Sequence, residues 1–240
     1  MAIGNVTPDS FYPASRLMDS SAERPIEEAV LLWAQQALED GADILDIGAC
    51  STRPNSTPVS EAEEWHRLEP ALAALKNALP NAKLSLDTFR PSIARRALEH
   101  FGSMIINDVS GGCLEMYDLV KKHNVPYVFT FRGNYNSLPI LDFTPDFQLI
   151  LDPGFGFCGG VEQDFDCLRK LDELRQYNRP VLVGLSRKSM IYKPLGLTPD
   201  TCLCATQALQ LYALEHGATI LRTHDVRATR NTIDLYNKLL

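Results

Sequence analysis

Residues 130–154, "TFRGNYNSLPILDFTPDFQLILDPG", decide how the rest of the chain is read. The stretch begins in one strand-like apolar run, around Phe129, ends in another, around Ile150, and shows no helical period between them. Pro139, Pro145, Gly133, Asn134 and Asn136 disfavour a continuous helix there. Everywhere else in the sequence two such runs are separated by a helix-like segment.

Eight runs rich in β-branched and aliphatic residues recur: "AIGNV", "DILDIGA", "KLSLDT", "MIINDV", "PYVFTF", "LILDPG", "VLVGLS" and "TILRTHDV". Apolar residues at three- and four-residue spacing predict helices over 26–38, 62–79, 91–101, 114–123, 165–174, 201–214 and 228–239, and Gly41, Gly102 and Gly217 follow three of them as C-terminal caps. Strand then helix, repeated, implies parallel strands joined by crossovers, and eight units point to an α/β fold of the TIM-like (β/α)8 barrel kind. An open doubly wound sheet fits less well, because the Gly-rich match "GFGFCGG" follows the sixth run and not the first. The barrel is therefore expected to lack the helix after strand five. Its bare strands would be covered by the loop, through Leu138, Ile140, Leu141, Phe143 and Phe147, by a second copy in a homodimer, or by nothing.

The chain has 240 residues, 45% hydrophobic and 22% charged, with no Gly/Ser-rich, Pro-rich or single-sign tract to mark a linker, so residues 1–240 are read as one domain. A net charge of −7 argues against broad nucleic-acid or anionic-membrane binding and favours a small ligand. No apolar run is long enough for a membrane helix and the start carries no signal-peptide core, so the expected location is cytoplasmic. Cys50, Cys113, Cys158, Cys167, Cys202 and Cys204 show no zinc-like spacing and read as reduced thiols.

Strands buried on both faces should be free of polar residues, so each exception is informative. The exceptions come late in each run: Asn5, Asp46, Asp87, Asn107, Thr130, Asp152, Ser186, and Arg222 with His224. Strand parity puts Ser85 with Asp87, Ile105 with Asn107, Ile150 with Asp152 and Arg222 with His224 on shared faces. Inward-facing, they would meet at the C-terminal mouth, where barrel active sites lie. Arg53, Arg187, Lys188, Arg222 and His224 make that end cationic, which suits a phosphate or diphosphate, while Asp87, Asn107 and Asp152 suit a flat, amine-bearing heterocycle. His66, His100, His123 and His216 read as surface residues and Trp33 and Trp65 as packing, and Asp108 and Asp225 point away from the site by parity.

These residues together resemble dihydropteroate synthases of the folate pathway. "NVTPDSF", "STRP", "SLDT", "INDVSGG", "DPGFGF", "GLSRKSM" and "RTHDV" stand in that family's order and cover nearly the whole chain. The resemblance implies condensation of 6-hydroxymethyl-7,8-dihydropterin diphosphate with p-aminobenzoate, in an enzyme family that is a sulfonamide target. It assigns the pterin to Asp46, Asp87, Asn107, Asp152 and Lys188. The diphosphate falls to Asn5, which also ligates Mg²⁺, and to Thr52, Arg53, Arg222 and His224. The aminobenzoate falls to Ser186 and Arg187, with Phe11, Pro54 and Phe155 as apolar walls, and Asp9, Arg53, Asp87 and Lys188 carry the catalytic roles.

The family usually has His in the fifth strand where Thr130 stands, Lys where Gly159 stands, and a helix after strand five. These departures keep a non-catalytic pterin-binding paralogue as an alternative. A pterin-dependent methyltransferase is a weaker one, since such enzymes lack "TPDSF" and "STRP".

Overall fold

The computed structural model describes residues 1–7, 26–50, 59–132, 135 and 147–240. Asp9, Phe11, Thr52, Arg53 and Pro54 lie outside them, as do Leu138, Ile140, Leu141 and Phe143. The chain forms two compact units, Met1–Tyr127 and Val128–Leu240.

The first unit alternates β1 (Ala2–Asn5), α1 (Ile26–Glu39), β2 (Ile44–Gly48), α2 (Glu61–Ala78), β3 (Lys83–Asp87), α3 (Pro91–Phe101), β4 (Ile105–Asp108) and α4 (Leu114–His123). The strands pair in parallel in chain order, with Ile3 opposite Asp46, Asp46 opposite Ser85 and Ser85 opposite Ile105. Two residues on, Asn5 faces Gly48, Gly48 faces Asp87 and Asp87 faces Asn107. One face of the strands is apolar because helices cover it: Leu45, Ile47, Leu84, Leu86 and Ile106 are buried, as are Val30 and Ala34 of α1 and Leu68, Leu72 and Leu75 of α2. Gly4 has no Cβ because one would stand 2.7 Å from the Trp33 ring of α1, so Trp33 packs, as expected.

Local chemistry sets the helix ends. The Ser60 hydroxyl accepts from the Glu63 N–H and caps α2, Pro91 opens α3, and α4 stops at Asn124 in the left-handed conformation after Lys121, Lys122 and His123. Trp65 of α2 packs beside Phe101, with the Arg96 guanidinium 4.2 Å from its ring.

The second unit holds β5 (Tyr127–Thr130), which begins at the boundary, then β6 (Leu149–Asp152), α5 (Val161–Arg169), a 3₁₀ segment (Leu171–Tyr177), β7 (Leu182–Val183), α6 (Ser189–Tyr192), α7 (Leu203–Glu215), β8 (Ile220–Leu221) and α8 (Val226–Tyr236). β5 neighbours β6, the Leu151–Val181 bridge leads on to β7, and β7 pairs in parallel with β8. The helix expected over 165–174 begins earlier, at Val161, and ends at Arg169. Leu168 near its end and Leu171 and Leu174 beyond it, all buried, recur every third residue, which is the 3₁₀ repeat and not the α repeat.

Among the described residues no helix stands between β5 and β6. The β5 face carrying Phe129 and Phe131 is covered instead by aromatic rings: Phe131 meets Tyr135 edge-on at 5.4 Å and lies 6.2 Å from Tyr177 of the 3₁₀ segment. The Tyr135 hydroxyl donates to the Cys167 carbonyl of α5 at 3.0 Å, and Phe147 is buried as well. No helix among the described residues is long and apolar enough to cross a membrane.

Candidate active site

In the first unit the polar residues gather on one face at the C-terminal ends of the strands. Asn5, Gly48, Asp87 and Asn107 form one row across the sheet, and Asp46 and Ser85 stand in the row beneath. Gly48 keeps the upper row open, since a Cβ there would stand 3.1 Å from the Asp87 Cβ. The Asn107 amide donates across two strands to Asp46 Oδ2 at 3.1 Å, and both side chains are buried. Among the described residues the Ser85 hydroxyl and the Asn107 side-chain oxygen Oδ1 are buried without a hydrogen-bond partner. Buried polar atoms are seldom left so, and two of them on one strand-end face mark a place for a polar ligand.

Just beyond this face, Asp108 accepts from the Ser110 N–H at 2.8 Å and from the Tyr127 hydroxyl at 2.9 Å. Burial, with the Asp108 carboxylate beside it, pushes the Tyr127 phenol well above its ordinary range and raises Tyr117 to about 12. Asp108 thus holds the "SGG" turn.

The second unit presents its own set. Asp152, at the end of β6, accepts from the Gly154 N–H at 2.8 Å, and the Lys188 ammonium donates to the Phe155 carbonyl with its Nζ 5.9 Å from the Phe157 ring. Burial raises the Asp152 pKa, opposed by Lys188, the Gly154 N–H and Arg222. The same desolvation lowers Lys188, opposed by Asp152 and reinforced by Arg222. Phe155 is fully buried. The "DPG" turn fits tightly, because a Cβ on Gly154 would meet the Phe131 carbonyl oxygen at 1.9 Å. Thr130, at the end of β5, is buried, and among the described residues its hydroxyl has no hydrogen-bond partner.

Ser186 and Arg222 with His224 follow β7 and β8. The Ser186 hydroxyl accepts from the His224 N–H at 3.2 Å, and the Arg222 N–H donates to the Val183 carbonyl at 2.9 Å. Arg187 is buried, sits at φ 56° and donates from Nε and one terminal nitrogen to Asp225 at 2.9 and 2.6 Å, while its other terminal nitrogen donates to the Pro199 carbonyl at 2.7 Å. Asp225 is thus a residue that sequence reasoning missed. The available signal was chemical: a buried Arg needs a carboxylate, and "RTHDV" supplies one.

Each unit thus presents its own polar set: a row of strand-end acceptors and amides in the first, and a carboxylate with a desolvated lysine in the second. Comparison with known proteins makes this specific. The family model for pterin binding enzymes matches residues 1–140 and 140–224, two segments that meet inside the stretch between β5 and β6. The chain is 33% identical over 261 residues to a dihydropteroate synthase of Streptococcus pyogenes, covering 100% of this chain and 95% of that protein. Solved structures agree: a dihydropteroate synthase of Clostridium difficile in the presence of pteroic acid matches with a TM-score of 0.86 and 30% identity, over 100% of this chain and 95% of that one. The enzyme of Xanthomonas albilineans with 4-aminobenzoic acid matches with a TM-score of 0.84 and 32% identity, over 100% of this chain and 92% of that one. The chain belongs to the pterin-binding enzyme family, among the dihydropteroate synthases, and its fold class is the family's α/β barrel.

Proposed function

We propose that this chain joins 6-hydroxymethyl-7,8-dihydropterin diphosphate to p-aminobenzoate, releasing diphosphate and forming 7,8-dihydropteroate. The observation that carries the reading is the first unit's strand-end face, where Asn5, Asp46, Asp87 and Asn107 share one side of the sheet and two buried polar atoms await a partner.

The division of labour follows donor and acceptor chemistry. Asp46 and Asp87 accept from the pterin's amino and ring N–H groups, and the Asn107 side-chain oxygen Oδ1 is an acceptor that Asp46 does not use. Asp152 and Lys188 take the matching roles in the second unit, the carboxylate accepting and the ammonium donating. The Lys188 charge, disfavoured by burial, gains most when a negative or electron-rich group lies against it. Arg222 and His224, with Thr52 and Arg53, meet the diphosphate. Ser186 and Arg187 meet the aminobenzoate carboxylate, and Phe11, Pro54 and Phe155 wall its ring.

The electron-rich dihydropterin stabilises positive charge on its exocyclic methylene, so cleavage of the C–O bond runs ahead of attack by the aniline nitrogen. The chain therefore needs no nucleophile of its own; it orients the two substrates, excludes water and offers the Asp9 carboxylate to the developing cation.

Mg²⁺ belongs to this reading. Asn5 fits it, since its amide oxygen is a hard donor at the strand-end face, and no cluster of three His, Cys, Asp or Glu side chains among the described residues offers a separate cage. Asn5 would hold Mg²⁺, which would supply neutralising charge to the leaving diphosphate. A cytoplasmic homodimer completes the proposal, with sedimentation velocity as the test of pairing.

Purified chain incubated with both substrates and Mg²⁺ should form dihydropteroate, and calorimetry should show pterin diphosphate binding that strengthens with Mg²⁺. Binding without product would instead establish a non-catalytic pterin-binding protein.

A further inference from the structure

Glu64 stands on α2 and has no part in the reaction above, yet its carboxylate is fully buried. One oxygen accepts from the Thr88 hydroxyl at 2.7 Å and the other from the Arg90 guanidinium. The second arm of Arg90 donates to the Val59 carbonyl at 2.6 Å, and its backbone N–H donates to the Thr88 hydroxyl at 3.2 Å. The Thr88 N–H in turn donates to the Asn107 backbone carbonyl at 3.1 Å. Thr88 directly follows Asp87, so the chain of bonds ends at the backbone of the two residues that stand side by side in the upper row of the site.

A buried ion pair is a costly way to seat a helix on a strand. Desolvating the two charges offsets most of their attraction, and apolar side chains of the same volume would hold α2 against β3 at least as firmly. Apolar packing would not fix direction. A carboxylate with both oxygens engaged, facing a guanidinium whose second arm is also taken, leaves one geometry for the end of β3.

We infer that Glu64 and Arg90 are a positioning pair: they set the angle of the β3 end, and with it Asp87 and its neighbour Asn107, and thereby tune pterin affinity. The inference rests on the synthase reading given above. It predicts that the pair acts on the pterin substrate and leaves the aminobenzoate parameters alone.

The test uses the full chain with Glu64→Gln, which keeps volume and an acceptor for Thr88 but removes the charge, and Arg90→Lys, which keeps the charge but removes the fork. Both should weaken pterin diphosphate binding and lower kcat by about ten- to a hundredfold, the scale on which small misplacements of binding groups act. KM for p-aminobenzoate should stay near that of the parent. Variants that unfold at lower urea but bind pterin diphosphate as tightly as the parent would overturn the inference. If either fails to fold, Thr88→Val, which deletes one hydroxyl link, decides by the same comparison. A parent chain that binds pterin diphosphate but forms no dihydropteroate would sink the synthase reading instead, and the binding comparison would still judge the pair.

Discussion

Asp225 holds Arg187 by two parallel hydrogen bonds, 2.9 and 2.6 Å long, and the guanidinium so held is buried. Fixing both nitrogens on one side costs the arginine its rotamer freedom, and its left-handed backbone at φ 56° is tolerated because this pair and the Pro199 carbonyl over-determine it. Asp225→Asn leaves the Arg187 charge buried beside a neutral amide, and about 3–5 kcal/mol of unfolding free energy should be lost. Arg187→Met combined with Asp225→Asn should recover much of that in urea titration, because no buried charge is then left over.

The bond from Asn107 to Asp46 links a structural and a binding role. Asn107→Ala removes a buried donor from a carboxylate and should cost about 1–3 kcal/mol in stability, together with a fall in pterin diphosphate affinity. Ser85→Ala separates the two effects. Its hydroxyl has no partner among the described residues, so stability should hold or rise while pterin affinity falls; unchanged affinity would remove Ser85 from the site.

Two glycines of similar φ should respond very differently to alanine. Gly154 sits at φ 79° with the Phe131 carbonyl oxygen 1.9 Å from any added Cβ, whereas Gly102 sits at φ 76° with nothing within 4 Å. Gly102→Ala should cost about 1–3 kcal/mol, the penalty alone of a backbone region (φ 76°, ψ −162°) open essentially to glycine. Gly154→Ala also drives a methyl into backbone that cannot yield and should cost more than about 4 kcal/mol, read as loss of folded protein on expression or as a lower urea midpoint.

Asp152 and Lys188 tilt stability with pH in opposite senses. Asp152 is raised by burial, so the folded state binds the extra proton above the ordinary carboxylate range and stability falls as pH rises through that window. Lys188 is lowered by burial, so the unfolded state binds the extra proton below the ordinary lysine range and stability rises with pH there. Urea unfolding measured across pH should show the acid-side slope vanish in Asp152→Asn and the alkaline-side slope vanish in Lys188→Met.

Much of this was legible in the residues because it is local. The eight strands and the helices of the first unit follow from side-chain period, and the C-terminal caps follow from Gly41, Gly102 and Gly217. The polar strand ends were visible for the same reason, since alternation along a strand is a property of the chain itself. The 3₁₀ turn at Leu171 was not, because a three-residue apolar repeat is compatible with either helix until packing chooses. The aromatic cover over β5 was not legible either. Tyr135 and Tyr177 are 42 residues apart, and no local rule brings one beside the other.

The order of motifs along the chain, read alone, determined the family, and alternation determined the polar face of the strand ends in the first unit, because both are one-dimensional properties of period and spacing. Tertiary structure decided which charges meet. Asp225 was set aside by strand parity and Glu64 hidden in a helix, yet Asp225 holds the buried Arg187 and the buried Glu64 holds the half-buried Arg90. The physical reason is that a buried charge is satisfied by whichever opposite charge the fold brings within hydrogen-bonding reach, and sequence distance does not encode that reach.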